Sequence, residues 1–151
     1  MTTKGQRGFE DLECYQLALQ VLKEAYRVAD RLPVEEKYNL ANQMHWAATS
    51  VILNIAEGYG RFHYLDTLRF YYIARGSLNE TLSAFIVCKE LQYTQGEIQQ
   101  QRELCHSALR SLNGYIRYVR KQQKGHKEYG DSAIRENPAQ YSIATQPLLD
   151  E

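Results

Sequence analysis

The chain has 151 residues, of which 44% are hydrophobic and 24% charged, and this composition fits one soluble domain of ordinary size. The 18 basic and 18 acidic side chains balance, so the total charge indicates no polyanionic partner. The chain lacks a membrane-length apolar run, a signal-type stretch and paired cysteine spacing, which predicts a cytoplasmic protein with no membrane partner.

The first two predicted helices are defined by apolar residues that recur every three or four positions. The first helix carries two adjacent apolar stripes, over residues 12–29 and 14–32. Because a single four-helix bundle does not need so wide an apolar face, this helix predicts a homo-oligomer. The second helix is predicted over about residues 35–57, where left-handed Gly58 and Gly60 would close it. Its predicted core stripe is Ala41, Met44, Ala48, Val51 and Ile55.

The third and fourth predicted helices complete an all-α, antiparallel up-down four-helix bundle. The third runs over about residues 64–91, where Gly76 is expected to let a neighbouring helix approach closely. Its predicted core stripe is Phe70, Ile73, Ala84, Val87 and Leu91. The fourth is expected to begin at a capping box in residues 94–97, followed by a core stripe over 98–119. The bundle is thus predicted over residues 9–125, between a flexible N-terminus at 1–8 and an acidic, disordered tail at 126–151.

Six polar or charged residues interrupt the apolar pattern of the second and third helices and the turn between them. They are Asn54, Glu57, Arg61, Arg75, Ser77 and Glu80. A buried carboxylate is costly unless it is paired, so one of the glutamates is expected to meet one of the arginines across the helices. A di-iron bundle needs Glu-x-x-His on two helices, whereas this chain has only Glu103 with His106. The six residues are therefore predicted to form a structural polar network and no metal site.

Motifs of catalytic sites are missing from the sequence. It has no phosphate-binding loop and no nucleophile elbow. The Gly58-Tyr59-Gly60 segment lacks both the last glycine of a dinucleotide-binding loop and a preceding strand. The chain is therefore predicted not to be an enzyme and to need no cofactor.

Charge is unbalanced locally near the end of the chain. Residues 102–127 carry seven basic side chains and one acidic, a net charge of +6, and residues 128–151 carry −4. The candidate nucleic-acid-binding residues are Arg110, Arg117, Arg120, Lys121, Lys124 and Lys127. Tyr115 and Tyr118 lie among them and could stack on bases, although Tyr115 also fits the core. A solvated helix face explains the same charges, and the 12 tyrosines also suit a protein-binding scaffold, so both functions stay open.

Two segments of the chain resemble a known family. Residues 54–61 (NIAEGYGR) and 68–80 (LRFYYIARGSLNE) are closely similar to the four-helix-bundle proteins first noticed in intervening sequences of bacterial 23S ribosomal RNA genes. The resemblance extends over about residues 8–124. It implies a four-helix bundle that assembles as a ring-like homo-oligomer, typically a pentamer, for which binding of RNA or DNA is suspected.

A related branch of that family implies a more specific partner. Accessory proteins of diversity-generating retroelements resemble the same family and partner a reverse transcriptase and its RNA. That branch usually lacks a clear NIAEG segment, so the segment present here favours the general family. Phe62-His63-Tyr64 stands where many members carry Arg, Ser or Lys, which weakens the second loop as a nucleic-acid contact.

Overall fold

Residues 8–122 are described by a computed structural model, in which they form four α-helices and two 3-10 helical turns. The helices are α1 (Glu13–Ala29), α2 (Leu40–Tyr59), α3 (Tyr64–Glu90) and α4 (Gln99–Gln122), and the turns are Gly8–Asp11 and Val34–Glu36. No strand occurs in this part of the chain, so the predicted all-α class is confirmed. None of the four helices is both long and apolar enough to cross a bilayer. The predicted acidic tail lies outside the described residues, as does the predicted N-terminal segment up to residue 7.

Contacts between α1 and α4 show that neighbouring helices run in opposite directions. Ser111, midway along α4, donates a hydrogen bond of 3.0 Å to Glu13 at the start of α1. Gln101, early in α4, donates one of 2.8 Å to Glu24 near the end of α1. Each helix packs against the next along the chain, and α4 closes the arrangement on α1. The fold is therefore the predicted up-down-up-down bundle.

Three of the four helices bury the apolar stripes predicted for them. In α1 the buried residues of the predicted stripe are Cys14, Ala18, Val21, Ala25 and Val28. For the fourth helix they are Cys105, Leu112, Ile116 and Val119 in α4, and Ile98 directly before it. All five residues predicted for the core of α2 are buried. The second stripe of α1 is mostly half-buried within the single chain, so α1 leaves less apolar surface open than its sequence suggests.

The core stripe predicted for α3 is wrong at three of its five residues, whereas Ala84 is buried as predicted and Phe70 is half-buried. Ile73, Val87 and Leu91 are 43%, 38% and 52% exposed, because the helix turns a different face inwards. The buried stripe is Leu68, Tyr71, Ala74, Leu78, Thr81, Phe85 and Cys88. Two apolar stripes run side by side along α3, and the stripe with Tyr71 and Phe85 packs inwards because aromatic rings bury the most area.

Neither of the two glycines singled out in α2 and α3 has the role predicted for it. Gly58 is buried inside α2, and a Cβ on it would lie only 2.7 Å from Tyr71 Cε1. Gly76 is the open position, since nothing lies within 4 Å of a Cβ built there. Gly60 ends α2 with a φ of −78°, so the left-handed closure predicted for this end is also wrong. Close helix approach therefore depends on Gly58 rather than on Gly76.

The starts of α2 and α4 differ from the predicted ones because the loop side chains bind elsewhere. α2 begins at Leu40, whose N–H donates to the Glu36 carboxylate at 3.1 Å. The predicted capping box does not form, because Glu97 instead pairs with Lys89 at 2.8 Å and α4 begins at Gln99. The starts of α2 and α4 are thus set by contacts that Glu36 and Glu97 make close to their own loops.

Candidate nucleic-acid interface

The predicted basic residues of α4 lie on its solvent side wherever the structure describes them. Arg110, Arg117, Arg120 and Lys121 are all exposed, whereas Lys124 and Lys127 lie outside the described residues. Arg110, Arg117 and Lys121 follow one another at intervals of seven and four, which places them on one face of the helix. We call these three residues the basic ridge; it lies opposite the stripe that α4 buries.

The charges of the basic ridge are not neutralised by neighbouring carboxylates. Within residues 8–122, none of the three ridge residues forms an ion pair. Arg110 Nη2 donates to Ser107 Oγ at 3.1 Å, and the Arg117 guanidinium lies over Gly114, with Nη2 3.8 Å from the place of a Cβ. The ridge therefore presents three cations to solvent and to any anion that approaches.

A groove runs beside the basic ridge, between the start of α1 and the second half of α4. It has a volume of about 400 Å³, and its walls include Leu12, Glu13, Cys14, Gly114, Tyr115 and Tyr118. We call it the α1–α4 groove. Tyr115 and Tyr118 stack in it, with ring centroids 5.9 Å apart and planes 16° from parallel. Burial raises the pKa of Tyr115 to about 12, so this phenol is neutral at physiological pH.

The hydroxyl and amide part of the predicted polar network joins α2 to α3. Ser77 Oγ hydrogen-bonds Ser50 Oγ at 2.9 Å, and Asn54 Nδ2 donates to Ser50 O at 2.8 Å. Ser50 is the member that the sequence analysis missed. Its position four residues before Asn54 on the same helical face was the available signal.

The charged part of that network lies on the surface. Glu57 and Arg61 do meet, but as an exposed pair one helical turn apart, and Arg61 also reaches Asp66 of α3 at 3.5 Å. Arg75 and Glu80 are both exposed, and Arg75 stacks over a neighbouring tyrosine ring instead of pairing across helices. The buried charge pair predicted for this region is therefore wrong, because α3 is rotated away from it.

The cysteines and carboxylates form no reactive cluster in the described part of the chain. Burial raises the pKa of Cys14 and Cys88 to about 11 and that of Cys105 to about 12, so these thiols stay protonated. Between residues 8 and 122, no three His, Cys, Asp or Glu side chains come together as a metal site. Glu103 is exposed and accepts a hydrogen bond from Gln99 at 2.8 Å.

The sequence analysis named Tyr115 and Tyr118 but missed the groove that contains them. Leu12, Glu13 and Gly114 are functional candidates only because α1 and α4 meet at this rotation. Gly114 carried the available signal in the sequence. A glycine inside a helix destabilises the helix, so its presence calls for a packing or functional explanation.

Comparison with protein-family models matches residues 10–114 to the family described as 23S rRNA-intervening sequence protein. The matched residues include all of α1, α2 and α3 and more than half of α4. The resemblance carried by the NIAEGYGR and LRFYYIARGSLNE segments is thereby confirmed. Of the exposed basic residues of α4, Arg110 lies inside the matched segment, whereas Arg117, Arg120 and Lys121 lie beyond it. A search of curated proteins found no match.

Proposed function

Since the chain belongs to the 23S rRNA-intervening sequence protein family, we propose that it is a non-catalytic, homo-oligomeric bundle that binds nucleic acid through α4. The observation that carries the proposal is the basic ridge, Arg110, Arg117 and Lys121, which is exposed and without ion pairs among the described residues. Phosphate is the ligand that such a row of cations attracts with little sequence preference. We place this activity in the cytoplasm.

Repetition of the basic ridge in an oligomer would compensate for the neutral total charge. Each phosphate neutralised by Lys or Arg releases condensed counterions, and the logarithm of the binding constant falls with the logarithm of salt by about 0.9 per phosphate on duplex DNA. One ridge supplies three cations, which is a weak site alone. A pentamer would present the ridge five times, and binding would then strengthen steeply at low salt.

The surface proposed for oligomerisation lies on α2 and α3 rather than on α1. Trp46 and Leu53 are seven residues apart on one face of α2 and are 69% and 61% exposed. Ile73 adds 43% exposure on α3, which packs directly against α2. We call these three residues the apolar patch. Large apolar side chains grouped in this way mark interaction surfaces, and a second copy of the chain would bury them.

The nucleic-acid proposal is tested by fluorescence anisotropy with labelled RNA and DNA at salt concentrations from about 50 to 200 mM. The double variant Arg117→Gln/Lys121→Gln is expected to weaken binding to every sequence and to reduce the salt slope by about 2 for each subunit whose ridge contacts the nucleic acid. The matched control Arg69→Gln/Arg75→Gln removes two exposed arginines from α3 and should leave the affinity and the salt slope unchanged. Equal binding by the two double variants would contradict the assignment to α4.

The oligomer proposal is tested by light scattering. The purified chain is expected at a multiple of 17.6 kDa, and Leu53→Glu/Ile73→Glu at 17.6 kDa itself, because charges cannot be buried unpaired in the apolar patch. Val34→Glu is the control, since Val34 is 77% exposed but lies in a 3-10 turn outside the patch. A wild-type particle of 17.6 kDa would contradict the proposal.

A protein-binding scaffold is the second candidate function, and the same apolar patch favours it. Exposed Trp46 has the aromatic character that protein interfaces prefer, and Tyr38 is 84% exposed at the loop before α2. The partner would then be a protein, and the oligomer would have no nucleic-acid activity, whereas a role as an accessory to an RNA- or reverse-transcriptase-containing complex belongs to the nucleic-acid proposal. Absence of nucleic-acid binding even at about 50 mM salt would favour the scaffold.

A further inference from the structure

We propose that the α1–α4 groove holds an unpaired base of single-stranded RNA or DNA, stacked on Tyr118, while the strand's phosphates follow the basic ridge. This inference rests on the proposed nucleic-acid function and adds the form of the nucleic acid to it. It predicts that single strands bind better than duplexes, because a paired base is not free to enter a groove.

The aromatic platform is already in place without a ligand. Tyr118 is 56% exposed, and Tyr115 stacks behind its ring at 5.9 Å. Tyr115 is braced in turn by Tyr71, which is fully buried and has its ring centroid 5.3 Å away. A side chain held in this way loses little rotamer freedom when a base stacks on it. Stacking on tyrosine tolerates any base, since every base has a π-face.

The cations lie where the strand would leave the platform. Arg110 belongs to the ridge and also lines the groove, and the Arg117 guanidinium lies over Gly114 in the groove wall. Tyr118 follows Arg117 directly, so the two side chains diverge by about 100° around α4. This places the aromatic ring on the α1 side of the cations. A base can therefore occupy the groove while its phosphate remains on the ridge.

Gly114 provides the room on the floor of the groove. A Cβ at this position would meet nothing closer than 3.8 Å, so alanine fits the monomer without a clash. Alanine is also the better helix former. Neither packing nor helix stability therefore requires glycine here, in contrast to Gly58. The open volume of about 400 Å³ lies within the range of about 300–1,000 Å³ typical of small-ligand sites.

The α1 wall of the groove disfavours a second phosphate backbone. Glu13 lies on that wall and accepts a hydrogen bond from Ser111, which fixes its carboxylate there. Phosphates bound at Arg117 and Lys121 stay outside the groove that Glu13 lines, because neither of these side chains lines it. The second strand of a duplex would bring its phosphates towards it, and like charges repel.

The test compares labelled single strands of about 15 nucleotides, oligo-dT and oligo-U, with a duplex of the same length in anisotropy titrations. Tyr118→Ala is expected to weaken single-strand binding about ten-fold and to leave duplex binding and the salt slope unchanged. Tyr118→Phe should restore the affinity, because it keeps the ring. Tyr38→Ala is the control, since it removes an even more exposed tyrosine (84% against 56%) from the loop before α2.

A second measurement uses the unmodified protein and needs no variant to fold. Oligo-dT carrying 5-iodouracil is irradiated in the complex, and the cross-linked peptide is identified by mass spectrometry. Cross-links at Tyr118 are expected, and cross-links confined to other peptides would overturn the inference. Equal losses for single strand and duplex in Tyr118→Ala would overturn it too, while leaving the proposed function intact. Failure of both probes to bind the wild type would overturn the inference together with the proposed function.

Discussion

Gly58 of α2 lies directly against the ring of Tyr71 in α3. A Cβ on residue 58 would stand 2.7 Å from Tyr71 Cε1 and 2.9 Å from Tyr71 Cδ1, closer than real side chains pack. Tyr71 is fully buried and cannot swing away. Gly58→Ala is therefore expected to lower the free energy of unfolding by about 1–3 kcal/mol, the usual cost of overpacking a core. Urea denaturation followed by circular dichroism measures it.

Gly76→Ala is the matched control for this prediction. It makes the same chemical change in the next helix, where nothing lies within 4 Å of the new Cβ. Since alanine is the better helix former, Gly76→Ala should raise the free energy of unfolding by about 0.5–1 kcal/mol. Two variants that destabilise alike would mean that helix approach at Gly58 does not matter.

The buried face of a helix was predictable where one stripe was clearly more apolar than the other stripes of the same helix. In α2, the predicted stripe from Ala41 to Ile55 has five apolar residues, whereas the face with Trp46 and Leu53 has fewer, and the predicted inner face is confirmed. In α3, the stripe with Ile73 and the stripe with Tyr71 are both apolar, and only packing against two neighbouring helices decides between them. The stripe that stays exposed contributes Ile73 to the apolar patch. The residues for which the predicted inner face of α3 was wrong therefore include part of the proposed interaction surface.

The candidate site was predictable only as far as it lies on one helix. Arg110, Arg117 and Lys121 share a face of α4 by spacing alone. The groove beside them requires the rotation of α4 against α1, which no periodicity within one helix contains. Glu13 and Gly114 therefore entered the site only from the structure.

α3 ends on a left-handed residue that is not glycine. Gln92 has a φ of +60°, the Tyr93 N–H bonds Cys88 O at 2.8 Å, and the Gln92 N–H bonds Lys89 O at 2.9 Å. This is the Schellman arrangement, in which glycine avoids the steric cost of a Cβ. Gln92→Gly is expected to raise the free energy of unfolding by about 0.5–1 kcal/mol in urea denaturation. The control Gln95→Gly changes a residue of the same loop that is not left-handed, and it should not raise the free energy of unfolding.

The three thiols should be unreactive in the folded protein. All are buried, and a pKa of about 11 for Cys14 leaves only about one thiolate in a thousand at pH 8. Ellman's reagent at pH 8 is therefore expected to label none of them within minutes, and all three in guanidinium. Rapid labelling of the native protein would show that the core opens locally. Tryptic mapping would then identify the labelled cysteine. Cys14 is the first candidate, because it lines the α1–α4 groove.

Glu36 links the loop before α2 to the loop after α3, and this link should depend on pH. Its carboxylate accepts the Leu40 N–H at 3.1 Å and the Tyr93 hydroxyl at 3.0 Å, and these hydrogen bonds hold the pKa of Glu36 below its ordinary value of 4.5. A pKa lowered by folding stabilises the folded state above pH 4.5, and the stabilisation is lost as the pH falls through the folded value.

Glu36→Gln is expected to lower the thermal midpoint at pH 7, because glutamine cannot supply the charge that strengthens both hydrogen bonds. The difference from the wild type should narrow as the pH falls below 4.5, since the wild-type carboxyl then becomes protonated as well. Glu35→Gln removes the adjacent, exposed carboxylate and serves as the control at each pH. Thermal scans at several pH values test this, and a difference that stays constant from pH 7 to pH 3 would show that the charge of Glu36 does not hold the two loops together.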